Sequence, residues 1–238
     1  MSSSLSRRDL LQKTPVLLAG LTVAASAFAD EKQEKKDEPE VTATEDLMRE
    51  HGVIRRALLI YAELVPKLRT DPGSVDPAAL HKTAELFRTF GEDYHERQLE
   101  EQHIFPVVRK MNKAKLTDYA DVLTAQHQRG REITEYVLAV TNGKIGKQHA
   151  DELIKIFEAF PLMYQNHAAR EDTIVFPAWK TNFTNKQLDE IGDQFEAIEH
   201  KTFGKDGFDD AEETISKIEA TFGFTDIAQF TPPAPPKP

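Results

Sequence analysis

Apolar residues recur every three or four positions along several long stretches of this chain, which is the spacing of one face of an α-helix. The spacing predicts helices over residues 45–69, from 77 past 106, over 116–141, 147–179 and 184–203, and a shorter helix over 209–222. No stretch sustains the period of two that a half-buried strand requires. The pattern therefore indicates an all-α protein.

Four of the predicted helices are long and joined by short connections, which favours a four-helix up-and-down bundle with one or two accessory C-terminal helices. Composition and pattern divide the chain into an export signal (1–29), a charged linker (30–44), the bundle (45–180), the accessory helices (181–230) and a proline-rich tail (231–238). The prolines of the tail exclude regular helix and sheet, so we expect it to be exposed.

The first residues have the features of an export signal. Arg7 and Arg8 precede an apolar run that is too short to span a bilayer and that ends in Ala27-Phe28-Ala29, a small-x-small cleavage pattern. The stretch resembles a bacterial twin-arginine signal cleaved after Ala29. A general secretory signal and a retained anchor are the alternatives. We expect a periplasmic protein with no stable membrane insertion after cleavage.

The composition narrows the classes of partner. A net charge of -10 argues against nucleic-acid binding, which needs a basic patch, and against docking on anionic membranes. The sequence has no cysteine, which excludes disulfides, thiolate zinc sites and cysteine nucleophiles. Any metal would have to be bound by His, Asp, Glu or Tyr, and such ligands suit iron, manganese or zinc.

Each of the four long helices carries one histidine on its apolar face, namely His51, His95, His127 and His167. Glu171 follows His167 by four residues on the same face, and ionised carboxylates are almost never buried without a partner. Taken alone, this pair indicates a core histidine beside a rim glutamate rather than a metal site, because short motifs often match by chance.

An internal repeat changes that interpretation. His95 is followed by Glu100-Glu101 and Phe105-Pro106, while His167 is followed by Glu171-Asp172 and Phe176-Pro177. Both acidic pairs lie at the same distance from their Phe-Pro, and the single histidines His51 and His127 lie 44 and 40 residues before the matching ones. The four helices therefore form a duplicated helical hairpin.

A duplicated hairpin would point four histidines and at least two carboxylates into one bundle. Without partners, each buried histidine would cost on the order of a few kcal/mol of desolvation. A shared metal site satisfies all of them together, and bundles with inward carboxylates and histidines are a known scaffold for two-metal centres. In such a centre the glutamates would bridge two cations, and histidines would bind at each end.

The residues around these histidines form short motifs that are distributed over most of the chain. They are Glu50-His51, Asp93-Tyr94-His95-Glu96-Arg97, Glu100-Glu101, Ile104-Phe105-Pro106, Gln126-His127, Gly130-Arg131, the stretch from His167 to Thr173, Phe176-Pro177, and the tail motifs Phe203-Gly204, Gly207-Phe208 and Phe230-Thr231-Pro232. In these motifs the chain resembles the hemerythrin-like family, the HHE cation-binding domain, over about residues 45–232. The resemblance implies a non-haem di-iron centre in a four-helix bundle, often able to bind dioxygen.

Carried over by position, the metal ligands would be His51, His95, Glu100, His127, His167 and Glu171. The family has its second-helix glutamate four residues after the histidine, whereas Glu100 lies five after His95, about 140° round an ideal helix. A π-bulge would restore the facing, and Glu101 is the competing ligand. Arg131 stands where oxygen-carrying members have a fifth histidine, which argues against simple reversible oxygen storage.

The leading hypothesis is a binding protein rather than an enzyme. It would be an exported di-iron protein that binds dioxygen, nitric oxide or peroxide for sensing, scavenging or storage, with manganese or zinc as alternative metals. A di-iron oxidase or peroxidase would need electrons from a redox partner protein, since no flavin, haem or iron–sulfur motif is present. The remaining alternatives are iron or cation handling without small-molecule chemistry, and a metal-free interaction bundle.

Overall fold

A computed structural model describes residues 41–236, whose regular secondary structure is helical, with no strand among them. The α-helices are α1 (Ala43–Thr70), α2 (Pro77–Leu86), α3 (Phe105–Lys110), α4 (Ala114–Val140), α5 (Lys147–Arg170), α6 (Phe176–Lys180), α7 (Asn185–Phe203) and α8 (Gly207–Phe222). Short 3₁₀ turns lie at Pro72–Ser74 and Ile227–Phe230. The prediction of an all-α protein is confirmed. The predicted export signal lies outside the described residues, as does most of the linker.

Two π-helical segments interrupt the longest helices. Segment π1 (Phe87–Ile104) joins α2 to α3, and segment π2 (Glu171–Val175) joins α5 to α6. In each segment the last i→i+5 hydrogen bond runs from the N–H of a phenylalanine to the carbonyl of a glutamate, from Phe105 to Glu100 and from Phe176 to Glu171. The next residue is a proline in the first turn of a new α-helix, where its missing N–H is tolerated.

The π1 segment changes which side chains of the second predicted long helix face the interior. The sequence predicted a local bulge between His95 and Glu100, and the structure has π-helix over the whole 18-residue stretch. Because π-helical hydrogen bonds join residues five apart, Glu100 returns to nearly the same face as His95. The π2 segment was not predicted, since His167 and Glu171 have ordinary α-helical spacing.

Side-chain caps explain where the helices begin. The Thr42 hydroxyl accepts from the N–H of Glu45, and the Asp76 carboxylate accepts from the first turn of α2. Thr184 and Gln187 form a reciprocal capping box at the start of α7. Helix α7 ends at Gly204, whose φ of 69° is a left-handed conformation that glycine adopts without strain.

The long segments pack against one another around an aromatic core. Helix α1 lies along α5, α5 contacts α4, and segment π1 contacts both α4 and α1. Within the core, the rings of Tyr61 and Phe157 stack with centroids 4.4 Å apart. Helices α7 and α8 pack against the outside of α1, where Arg56 binds the Glu219 carboxylate and the Ser216 hydroxyl of α8. None of the described helices has the length and apolar composition needed to cross a bilayer.

Candidate metal centre

Four histidines from four different helical segments meet in the interior. His51 comes from α1, His95 from π1, His127 from α4 and His167 from α5, and each is at most 3 % exposed. The rings form two pairs, with centroids 4.7 Å apart for His51 and His95 and 4.8 Å apart for His127 and His167. The histidines that the sequence singled out are therefore gathered at one place.

Two fully buried glutamates lie between these histidine pairs. Glu100 has Oε1 3.2 Å from Nε2 of His95 and Oε2 3.2 Å from Nε2 of His127. Glu171 has Oε1 3.0 Å from Nε2 of His167 and Oε2 3.5 Å from Nε2 of His51. Each carboxylate thus extends one oxygen toward each histidine pair, which is the arrangement of a ligand that bridges two cations.

The other ring nitrogen of every histidine points away from the glutamates to an oxygen atom. The partners of Nδ1 are Asp172 for His51 at 2.7 Å, Glu50 for His95 at 2.6 Å, Glu101 for His127 at 2.9 Å and Gln126 for His167 at 2.9 Å. Carboxylate and amide oxygens only accept hydrogen bonds, so Nδ1 is the protonated nitrogen in each ring. In the neutral rings, Nε2 then presents a lone pair to the centre.

With neutral imidazoles, the centre contains more acceptors than donors. Of the buried side-chain atoms in residues 41–236 that have no hydrogen-bond partner, five lie at this centre: Nε2 of His95 and all four carboxylate oxygens of Glu100 and Glu171. The Nε2 atoms of His127 and His167 also face each other at 3.1 Å. Buried polar groups without partners cost free energy, and a cation bound among these atoms removes that cost. The residues present therefore fit a metal site.

The candidate ligand atoms form two groups, each of which could hold a cation. The His127/His167 position has Glu100, His127, His167 and Glu171, whose ligand atoms lie within 4.8 Å of one another. The His51/His95 position has His51, His95 and Glu100 within the same limit, and Oε2 of Glu171 lies 3.5 Å from Nε2 of His51. Glu100 belongs to both positions, so the geometry can hold a pair of metal ions.

The charges of the centre depend on each other. Burial disfavours the charged form of Glu100, yet the neighbouring His95 and His127 hold its pKa well below the usual range. Burial likewise opposes charge on His127, but the carboxylates of Glu96, Glu100 and Glu101 raise its pKa to about 10. The pKa of His95 is raised for the same reason, by Glu100 and Glu50. Without a cation, protons on the imidazoles neutralise the glutamates.

The neighbouring acid Glu101 has a different place from Glu100. Its Oε1 accepts from Nδ1 of His127 at 2.9 Å and from the Arg131 guanidinium at 2.5 Å. It therefore orients a histidine from outside, while Glu100 lies among the Nε2 atoms. Arg131 also donates to Glu96 at 3.3 Å, so the residue at the position of the fifth histidine contacts carboxylates.

Sequence reasoning missed the outer acceptors, although the repeat carries a signal for them. Glu50 and Gln126 directly precede the single histidines, and Asp172 and Glu101 directly follow the central glutamates. Two tyrosines also donate hydrogen bonds to carboxylates beside the centre. Tyr94 donates to Glu50 at 3.1 Å, and Tyr164 donates to Glu96, whose pKa burial raises to about 8.

The Phe-Pro motifs contribute aromatic walls. The ring of Phe105 stacks on His127 with centroids 5.5 Å apart, and the ring of Phe176 stacks on His51 at 5.6 Å. Each phenylalanine thus packs on the single histidine of the other hairpin. The equal spacing of the two motifs from their acidic pairs follows from this shared role.

Comparison with known proteins agrees with this geometry. The family described as the hemerythrin HHE cation binding domain matches residues 42–179, which include all four histidines and both central glutamates. The chain belongs to the hemerythrin HHE cation-binding family. The matched range thus contains the histidines and glutamates that converge in the interior.

Curated relatives of the chain are mycobacterial. It is 39% identical to an uncharacterised protein of Mycobacterium bovis over 240 residues, covering 97% of this chain and 92% of the relative. Uncharacterised proteins from two strains of Mycobacterium tuberculosis match with the same identity and coverage. No solved structure gives a significant match to the chain.

The raised pKa values of the histidines predict that protons are released when a metal binds. In the metal-free protein the pKa values of His51, His95 and His127 are raised, so these imidazoles keep their second proton to higher pH than a free histidine does. A cation must displace the Nε2 protons, so its apparent affinity should rise with pH until the pH passes the His127 pKa of about 10. Calorimetric titrations of the apo-protein in buffers of different ionisation enthalpy measure the proton count. Metal binding without proton release would contradict this charge arrangement.

Proposed function

We propose that this protein holds two non-haem iron ions between Glu100 and Glu171 and binds a small molecule there, dioxygen, nitric oxide or peroxide, for sensing, scavenging or storage. The observation that carries the proposal is the convergence of four imidazole Nε2 atoms on two buried carboxylates whose oxygens lack hydrogen-bond partners among residues 41–236. One cation could not satisfy groups that are divided into two pairs.

The donor set supports iron as the metal. Each position offers two imidazole nitrogens and two carboxylate oxygens, a mixture that suits iron and also accommodates manganese or zinc. When bound, such an ion pair supplies Lewis acidity and redox chemistry toward small molecules. The protein's own part is to orient the imidazoles through Nδ1, to fix the two carboxylates between them, and to exclude bulk water by burial.

The proposed ions would keep coordination positions for a small ligand. Arg131 forms ion pairs with Glu101 and Glu96 and provides no ligand atom of its own. Each cation would therefore have four protein ligands, and a six-coordinate ion keeps further positions for solvent or a small molecule. Binding of a small molecule needs only these open coordination positions and no redox partner protein.

We infer that the long helical segments form an up-and-down four-helix bundle of two related hairpins. The support is the order of contacts, since α1 contacts α5, α5 contacts α4, α4 contacts π1, and π1 contacts α1. This sequence of neighbours is a closed ring of four segments. Such a ring surrounds the centre on all sides, as a buried metal site requires.

We also propose that the mature protein is exported. The support is the paired Arg7 and Arg8, the short apolar run and the cleavage pattern that ends at Ala29. N-terminal sequencing of protein recovered from the periplasm should find Asp30 as the first residue. A chain that keeps residues 1–29 in the cytoplasm would contradict the export proposal and leave the metal centre unaffected.

Metal analysis tests the proposed centre. The purified protein should contain two irons per chain and show an absorption band that changes reversibly with oxygen, nitric oxide or peroxide. Glu100→Gln should remove most of the iron, because it takes away the charge of a carboxylate that would bridge both ions. Glu101→Gln is the matched control, and it should keep both irons at an affinity lowered about 10- to 100-fold.

Three results would overturn the proposal in different ways. Absence of iron from the purified wild-type protein would contradict the metal assignment. Equal iron loss in the two variants would contradict the separate roles of Glu100 and Glu101. Steady consumption of peroxide with a reductant would instead identify an enzyme.

A further inference from the structure

The two cation positions are related by the internal repeat, but the atoms behind them are not equivalent. At the His51/His95 position, both histidines donate Nδ1–H to carboxylates, those of Asp172 and Glu50. At the His127/His167 position, one histidine donates to the carboxylate of Glu101 and the other to the amide of Gln126. The first half of the repeat thus has a charged acceptor, Glu50, where the second half has a neutral one, Gln126.

Glu50 and Gln126 are the pair that breaks the symmetry. Each directly precedes the single histidine of its hairpin, and each accepts from the histidine of the next helix. Glu50 is fully buried, receives the Tyr94 hydroxyl at 3.1 Å, and lies 2.6 Å from Nδ1 of His95. Gln126 is half-buried and lies 2.9 Å from Nδ1 of His167.

Two outer ion pairs correspond between the two positions. Asp172 is paired with Arg55, and Glu101 is paired with Arg131. Each arginine follows its single histidine by four residues, so these ion pairs are themselves related by the repeat. Glu96 also lies 4.0 Å from Nδ1 of His127, but it accepts from Arg131 and Tyr164 and takes no Nδ1–H. Among the groups that accept Nδ1–H, the one difference in charge is the carboxylate of Glu50 against the amide of Gln126.

An outer carboxylate strengthens a metal-bound imidazole. When it accepts the Nδ1 proton, it raises the basicity of Nε2 and adds negative charge near the cation. A neutral amide orients the ring without adding charge. A cation at the His51/His95 position should therefore be bound more tightly than one at the His127/His167 position.

We propose that the two metal positions have different affinities, that the His51/His95 position fills first, and that Glu50 and Gln126 set the difference. The inference rests on the proposed two-metal centre. The His127/His167 position is then the one from which iron is most readily lost or exchanged, so the protein passes through a singly loaded form.

Calorimetric titration of the metal-free protein with ferrous iron under anaerobic conditions tests this inference. The wild-type protein should bind two ions in two steps. Repulsion between two cations also separates such steps, so the comparison of variants carries the test. Glu50→Gln should weaken the first step about 10- to 100-fold and bring the two steps together. Gln126→Glu should also bring them together, but by strengthening the second step.

Glu63→Gln is the matched control, since Glu63 is an exposed residue of the same helix and loses the same charge. It should leave both steps within about twofold of the wild type. Steps that stay separated in Glu50→Gln as they are in Glu63→Gln would overturn the inference. If Glu50→Gln does not fold, an unchanged second step in Gln126→Glu overturns it alone. Absence of any iron binding in the wild type would instead contradict the two-metal centre itself.

Discussion

The centre depends on four hydrogen bonds that point away from it. Each histidine donates Nδ1–H to an oxygen on a neighbouring helical segment, and this fixes the ring so that Nε2 faces inward. If these acceptors were absent, the imidazoles could rotate or exchange tautomers, and Nε2 would no longer converge on Glu100 and Glu171. The buried acceptor atoms at the centre are held together at a cost that a bound cation removes.

The backbone is adapted to this requirement in two places. The π1 segment turns Glu100 inward although it lies five residues after His95, and the π2 segment begins at Glu171 itself. Both segments end just before a Phe-Pro pair, whose phenylalanine stacks on a histidine of the other hairpin. The unusual helical turns and the aromatic walls are therefore parts of one repeated unit, and π-helical segments commonly occur at functional sites.

Much of this architecture was accessible from periodicity and from the repeat. The three- and four-residue spacing predicted the helices, and the repeat related His51 to His127 and Glu100 to Glu171. The outer acceptors were not predicted, because they depend on contacts between distant parts of the chain. Asp172 meets His51 across 121 residues, and Glu50 meets His95 across 45. The roles of Glu100 and Glu101 also required the structure, since only the extent of the π1 segment decides which one turns inward.

The central claim is that Glu100 and Glu171 bridge two ions. Anomalous diffraction from crystals of the iron-loaded protein, recorded at the iron edge, tests it most directly. The account predicts two peaks, one beside Nε2 of His51 and His95 and one beside Nε2 of His127 and His167, with both glutamates touching each peak. A single peak, a peak bound by Glu101 in place of Glu100, or no peak between the histidine pairs would contradict it.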